Sequence, residues 1–310
     1  MNVYNSVHDL IGNTPMIKIN HFDIPERVNI FAKLEFYNPG GSVKDRIGKW
    51  MIQKAEEEGL LKTGYTIIEA TAGNTGIGVA LAAINKGYKV IFVVPGKFSI
   101  EKQIIMKALG AQIINTPTEQ GLEGAFKKVE ELKSEIENVF VVNQFANMHN
   151  PEAHYLFTGK EIYEQMDGKI DLFVSGAGSG GTFSGVMAYL REQKHPVRGI
   201  LADPVGSIIG GGSCGAYKIE GIGNDFVPKT MNLDYVDEVE KVTDEEAFLM
   251  VKELAEKEGL LVGSSSGAAF AAALRQGKKI KEGNIVVVFP DKADRYLSKQ
   301  IYSFDSVENR

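Results

Sequence analysis

Short apolar runs and amphipathic stretches alternate along most of this chain. From Asn29 onward it reads "NIFAKLE", "SVKDRIGKWMIQKAEEEG", "TIIEA", "NTGIGVALAAINKG", "KVIFVV" and "SIEKQIIMKALG". The first, third and fifth are β-rich runs of strand length, and the others carry apolar residues at the three- and four-residue spacing of a helix face. The alternation continues through "QIINT", "GAFKKVEELKSEIE", "VFVVNQ", "PEAHYLFTGKEIYEQM", "DLFVS", "GGTFSGVMAYLREQ" and "VRGILAD". It closes with "DEVEKVT", "DEEAFLMVKELAEKEG", "GAAFAAALRQG" and "NIVVVFP". Repeated strand–helix–strand units predict an α/β fold with mostly parallel sheets flanked by helices.

The 310 residues amount to roughly two domains, and no fixed-period repeat, low-complexity tract or Pro-rich linker divides them. Two domains in such a chain are joined by ordered crossings. A hydrophobic content of 44% supplies a packed core and excludes disorder. With net charge −6 and no long basic block, the sequence lacks the electrostatic footprint of a nucleic-acid or anionic-membrane binder. No apolar run approaches the ~20 residues of a membrane span. The expected partner is a small molecule. The N-terminal "MNVYNSVHDLIGNTP" has neither the basic nor the apolar region of a secretory leader, and Cys214 is the single cysteine. Both point to the reducing cytoplasm. Cys214 itself receives no role.

The glycine clusters fall after predicted strands and before predicted helices, the carboxyl edge where open α/β sheets bind ligands. In "EATAGNTGIGVA", Thr71, Asn74 and Thr75 with the local N–H groups suit either a helix cap or a carboxylate site. In "DLFVSGAGSGGTFSGVMAYL", Gly178, Ser179, Gly180, Gly181 and Thr182 open a helix with bare N–H groups and two hydroxyls, a cradle for a phosphate. The same loop satisfies G-x-G-x-x-G, with Asp203 about twenty residues on where a dinucleotide fold places its ribose-binding acid. A nicotinamide-dependent dehydrogenase is therefore a rival reading. In "LLVGSSSGAAFAAAL", Ser264, Ser265 and Ser266 precede an Ala-rich helix, and alone they predict only an N-cap.

A fourth stretch, "FYNPGGSVKDRIGKW", sets Lys44 at the opening of a helix, where unpaired N–H groups disfavour a cation. Ser42 and Asp45 form an S-x-x-D start, so a capping box is expected to hold the helix without help from the lysine. The helix terminus is expected to lower the pKa of Lys44 and favour a neutral, nucleophilic amine.

Together these loops resemble the cysteine synthase and cystathionine β-synthase family of pyridoxal-phosphate enzymes, of fold type II. "LIGNTPMIKI" is similar to its N-terminal segment, "NPGGSVKDR" to its cofactor-lysine motif, "TAGNTG" to its substrate loop, "GSGGT" to its phosphate loop and "SSSG" to its cofactor-ring serine. The resemblance spans nearly the whole chain. It implies two α/β domains, each with a central, mostly parallel sheet: residues 1–41 plus 151–310 as the large cofactor-binding domain, and 42–150 as a small, mobile one. It also implies a homodimer with pyridoxal 5′-phosphate as cofactor, no metal, and β-replacement on an O-acetylserine, serine or cysteine donor through an aminoacrylate.

By the same resemblance, Lys44 forms the Schiff base and later removes the substrate α-proton. Asn74 bonds the cofactor's 3′-oxygen, and Gly178, Ser179, Gly180, Gly181 and Thr182 hold its phosphate, with Ser179 standing where the family usually has threonine. Ser265 faces the pyridine nitrogen, and this neutral partner suits chemistry at the β-carbon. Thr71, Ala72, Asn74, Thr75 and Gln144 form the site for the substrate carboxylate. Ala72 departs from the usual serine, which bears on donor preference. "EGIGNDFVP" looks more like the cystathionine synthase branch, and its Asp225 is expected to pair with the ammonium of an amino-acid thiol or to activate water and release hydrogen sulfide. His154 is expected to pack rather than react. Outside this family, a dehydrogenase and a catalytically silent scaffold remain the alternatives.

Overall fold

The predicted alternation folds into two separate sheets. In this computed structural model, residues 3–96, 98–299, 301 and 302 are described. Residues 1–2 and 303–310, which fall in the expected large domain, lie outside that set. The chain opens with β1 (Met16–Ile19), β2 (Arg27–Leu34) and α1 (Lys44–Glu57). There follow β3 (Thr66–Ala70), α2 (Asn74–Ala83), β4 (Lys89–Pro95), α3 (Ile100–Ala108), β5 (Gln112–Thr116), α4 (Gly121–Glu135) and β6 (Val139–Val141). Next are α5 (His149–Ala153), α6 (Lys160–Gln165), β7 (Leu172–Gly176), α7 (Gly181–Arg191), β8 (Arg198–Pro204) and β9 (Glu238–Val242). The series ends with α8 (Asp244–Glu258), α9 (Ser264–Lys279) and β10 (Glu282–Phe289). A π-helical segment, His154–Gly159, joins α5 to α6.

One sheet has the order β5-β4-β3-β6 and is wholly parallel. The other has the order β1-β2-β10-β7-β8-β9 and is parallel except at β1, a short edge strand antiparallel to β2. The expected α/β class with helix-flanked, mostly parallel sheets is what forms. Central strands are apolar runs because both faces are covered: all of β3 is buried, and so is β10 from Ile285 to Phe289. The strand "MIKI" escapes the sequence pattern because only Ile19 of it is buried.

Two close approaches position the cleft between the sheets. A Cβ at Gly48 would strike the backbone of Gly78, and one at Gly78 would strike the carbonyl of Lys44. Glycines at both places let α1 lie against α2, which brings Lys44 beside the loop of residues 71–75.

Behind Lys44, Arg46 is buried between two carboxylates, with Nε 2.7 Å from Glu35 and Nη2 2.7 Å from Glu161. Lys33 Nζ reaches Glu161 at 2.9 Å and the Thr14 carbonyl at 2.8 Å. Burial opposes ionisation of Glu35, but Arg46 and Lys33 outweigh it and hold the carboxyl below its ordinary range. Removing one member would leave a buried charge unpaired, at a cost of about 3–5 kcal/mol.

The start of α1 differs from expectation. Ser42 Oγ accepts from Lys44 N at 3.2 Å, but the residue preceding the helix is Val43, without a side-chain cap. Asp45 turns back to accept from Gly40 N at 2.5 Å, so no reciprocal capping box forms. Burial lifts the Asp45 carboxyl to about 7 against the pull of Arg295.

Candidate functional site

A cavity of about 920 Å³ opens at the carboxyl edges of β3 and β7, between the two sheets. Its walls include Lys44, all five residues of the 71–75 loop, Gln144, the 178–180 turn with Thr182, Ser265 and Asp225. Of the residues that the resemblance assigns to the cofactor and the substrate, only Gly181 does not line it; a Cβ there would collide with the Asn150 amide.

Among the described residues, no hydrogen bond or ion pair engages Lys44 Nζ. Burial lowers its pKa to about 8, and the Asp291 carboxylate pulls the other way. The direction agrees with expectation, but the cause is desolvation rather than the helix terminus.

The loop after β3 is held by its own side chains. Thr71 Oγ1 accepts from Gly73 N at 2.9 Å and from Gly76 N at 3.3 Å, fixing the turn. Thr75 Oγ1 donates to Gln144 Oε1 at 2.6 Å. The Asn74 amide is bound at both ends: Nδ2 donates to Asp291 at 2.7 Å and Oδ1 accepts from Arg295 at 2.6 Å. Tyr296 donates its hydroxyl to the same Asp291 oxygen at 2.5 Å. Ala72 faces the cavity with no hydroxyl to offer.

The turn after β7 is equally constrained. Gly180 has φ 82°, a conformation that favours glycine, and it precedes α7 without a side-chain cap, so among the described residues no side chain caps the first N–H groups of that helix at the cavity wall. Ser179 Oγ accepts from Asn150 Nδ2 at 2.9 Å. Thr182 Oγ1 lies 3.1 Å from His154 Nε2, and Thr158 Oγ1 lies 2.9 Å from the other ring nitrogen. Burial, with Lys44 and Arg46 nearby, pushes His154 well below its ordinary pKa, so the ring is neutral. Asn224 donates its amide to the Gly178 carbonyl at 2.6 Å, docking the exposed Asp225 at the rim.

A model of the pyridoxal-phosphate dependent enzymes matches residues 7–291. The chain belongs to this family. It is 54% identical over 303 residues to the O-acetylserine dependent cystathionine beta-synthase of Bacillus subtilis strain 168, covering 97% of this chain and 99% of that relative. It also resembles the crystal structure of an O-acetylserine dependent cystathionine beta-synthase from Helicobacter pylori, with TM-score 0.94 and 48% identity over 97% of this chain and all of that one. A hydrogen sulfide-producing enzyme from Fusobacterium nucleatum superposes with TM-score 0.92 at 42% identity, over 95% of this chain and all of that one.

The residues present fit the family's cofactor. The open N–H groups of α7, flanked by the Ser179 and Thr182 hydroxyls, suit a phosphate dianion. The Lys44 amine is unclaimed and partly deprotonated near neutrality, which suits an aldehyde. Ser265, 2% exposed, turns a hydroxyl with no hydrogen-bond partner among the described residues toward the cavity. The dehydrogenase reading falls with the family match. Its ribose acid is also taken: Asp203 accepts from Lys241 Nζ at 2.6 Å and Gly210 N at 2.9 Å, buried at the end of β8.

Several residues that line the cavity or support its walls carried no site signal in the sequence. Lys102 and Glu220 form an ion pair inside it, and Asp291, Arg295 and Tyr296 arrive from the far end of the chain to surround Asn74. Asn150 joins the two loops by donating to both the Gln144 carbonyl and Ser179. A buried Asn before proline is a pattern-free position, and only the fold reveals it.

Proposed function

We propose that the chain catalyses β-replacement on a β-substituted amino acid, in the manner of a cystathionine β-synthase: the α-proton and β-substituent of O-acetylserine, serine or cysteine depart, and a thiol (homocysteine, cysteine or sulfide) adds at the β-carbon. The observation that carries this reading is the Lys44 amine, lowered to about 8 and unpaired, in one cavity with an uncapped helix N-terminus and the Ser265 hydroxyl. Pyridoxal phosphate, when bound, supplies an aldehyde for amines and a ring that takes up electrons from the α-carbon.

The protein's share is binding, orientation and proton transfer. Gly178, Ser179, Gly180, Gly181 and Thr182 hold the phosphate, with His154 and Asn150 fixing the two hydroxyls. Asn74, clamped by Asp291 and Arg295, presents its amide to the ring oxygen. Ser265 offers the ring nitrogen a neutral partner. Thr71, Ala72, Asn74, Thr75 and Gln144 receive the donor's carboxylate, the last two already bonded to each other. Lys44 takes the α-proton and returns it. Asp225 meets the ammonium of a second amino acid. Residues 42–150 form a small domain that closes over bound substrate, and 1–41 with 151–310 form the large one. Exposed apolar side chains, among them Val7, Leu10, Leu156 and Phe157, support a homodimer. No helix among the described residues is long and apolar enough to cross a membrane. The single cysteine supports placing the chain in the reducing cytoplasm.

A second reading rests on the same aspartate: Asp225 activates water, and cysteine yields serine and hydrogen sulfide. A product assay with O-acetylserine, serine and cysteine, each against homocysteine, sulfide and water, separates the two. Lys44→Ala is expected to abolish turnover and covalent retention of the cofactor; full activity in that variant would overturn the mechanism.

A further inference from the structure

Behind Gln144 stands a buried carboxylate that no lysine, arginine or histidine pairs with among the described residues. Glu69 lies in β3 and is 2% exposed. Strand alternation puts its side chain on the face shared with Ile67, which packs in the cluster of α1 and α2, while Ile68 and Ala70 face α4. Asn143 and Gln144 lie just past β6, the strand that pairs with β3. Asn143 has φ 54°, a left-handed conformation that asparagine tolerates, and successive N–H groups in such a turn converge on an anion. Glu69 fills that place: one oxygen accepts from Asn143 N at 2.7 Å and the other from Gln144 N at 3.2 Å.

The rest of Gln144 is engaged as well. Its carbonyl accepts from Asn150 Nδ2 at 2.8 Å, and its Oε1 accepts from the Thr75 hydroxyl at 2.6 Å. The Gln144 side chain also favours the ionised form of Glu69, which only the nitrogen end of its amide can do. The amide is thereby oriented, oxygen toward Thr75 and nitrogen toward the carboxylate, at the wall of the large cavity. Among the described residues no ionisable side chain acts on Glu69 from α1, α2, α5 or the neighbouring strands. Burial lifts its carboxyl to about 7, and the hydrogen bonds from residues 143 and 144 oppose that. Burying an acid with no cation beside it is costly, and what this acid touches is the segment that presents Gln144.

We propose that Glu69 is a positioning residue for the donor amino acid: as a carboxylate it holds the main chain and the amide of Gln144 in the arrangement that takes the donor's own carboxylate. The inference rests on the reading of Gln144 given above. Protonation turns one oxygen of Glu69 from acceptor to donor and sets it against a backbone N–H, so donor affinity falls as pH falls through the titration of this group. Glutamine at position 69 has the same defect at every pH, because its NH2 faces one of the two N–H groups.

The test uses the holoenzyme and L-alanine, a donor analogue with no β-substituent to lose, whose binding is followed by the absorbance of the cofactor. Glu69→Gln is expected to raise the L-alanine Kd roughly tenfold. In turnover it is expected to raise the donor KM by a similar factor, with kcat and cofactor content nearly constant. An unchanged Kd, or a loss matched by equal loss of cofactor, would overturn the inference. Gln144→Ala separates it from the reading beneath it. An unaltered L-alanine Kd in that variant removes Gln144 from the donor site, whereas a loss there with none in Glu69→Gln removes Glu69 alone. Should the Glu69 variant fail to fold, the unaltered protein decides. Deprotonation of the L-alanine amine by itself tightens binding about tenfold per pH unit between about pH 6 and 8. A steeper dependence below about 7 supports the role of the carboxylate, and a single slope throughout refutes it.

Discussion

Lys102 Nζ lies 3.1 Å from a Glu220 carboxylate oxygen, and the pair joins the two sheets' flanking elements across the large cavity. Lys102, 2% exposed, comes from α3 beside the four-stranded sheet; Glu220 comes from the loop between β8 and β9. The ammonium also lies 4.1 Å from the centre of the Tyr296 ring, and the lysine stem fills the space where a Cβ at Gly73 would stand. One side chain thus touches the loop of residues 71–75, the C-terminal segment and the opposite wall. Lys102→Met and Glu220→Gln are each expected to lower unfolding free energy by about 1–3 kcal/mol, as loss of one partner of a largely buried charged hydrogen bond does. Each is also expected to raise the donor KM. The double variant Lys102→Glu, Glu220→Lys should recover part of both losses in urea titrations and steady-state kinetics; no recovery would deny the pair its role as a bridge.

Lys44 sets a pH window. Its ordinary pKa is 10.5, and burial brings it to about 8, so only above about 8 is the neutral amine dominant. Capture of pyridoxal phosphate by the cofactor-free protein should therefore speed up with rising pH and level off above about 8, as followed by absorbance. Because the unfolded chain stays protonated up to 10.5, it binds more protons than the folded one between 8 and 10.5, and this group adds stability as pH rises through that interval. Asp291→Asn removes the opposing charge and is expected to move the midpoint of capture downward. A midpoint near 10.5 in the unaltered protein would contradict the burial argument.

On the proposed reading, nucleophile choice turns on Asp225. Asp225→Asn should weaken the use of homocysteine, or of water, by roughly tenfold, the worth of one charge-assisted hydrogen bond, while sulfide, which has no ammonium, is used almost as before. Equal losses with every nucleophile would remove the aspartate from specificity.

If Thr182 holds the phosphate as proposed, His154 acts through it, 3.1 Å from its hydroxyl. With its ring replaced in His154→Leu, the Thr182 hydroxyl loses its buried partner, and phosphate binding should weaken by roughly tenfold, about 1.4 kcal/mol. Dialysis against buffer, with cofactor content read by absorbance, checks this; unchanged retention would make the histidine packing alone.

Much of this architecture was legible in the sequence, because parallel strands buried on both faces leave continuous apolar runs such as "TIIEA" and "IVVVF", and because glycine-rich turns follow them. The loops after β3 and β7 were legible for the same reason, since each follows the carboxyl end of a strand, whereas the Ser264–Ser266 turn follows α8 and was legible only by its serines. What stayed hidden depends on tertiary proximity. Asp291 and Arg295 lie more than two hundred positions from Asn74, and no periodicity connects them. Asp45 reads as a helix-capping acid, but in the fold a closer donor, Gly40 N, takes it. Glu69 looks like an ordinary polar residue in a strand, but in the fold it is buried and its oxygens accept from Asn143 N and Gln144 N.

The place of β10 has a bearing on how the molecule is made. This strand, Glu282–Phe289, pairs with β2 on one side and β7 on the other, yet among the described residues it is the last strand to leave the ribosome. Strands β3 to β6 occupy one continuous stretch and have all their partners by Val141. Synthesis therefore delivers a completed four-stranded sheet early, while β2 and β7 wait with open, apolar edges of the kind that attract other chains. A nascent chain stalled before Glu282 carries an unfilled slot through the middle of its larger sheet, and chaperone binding during translation is best directed there.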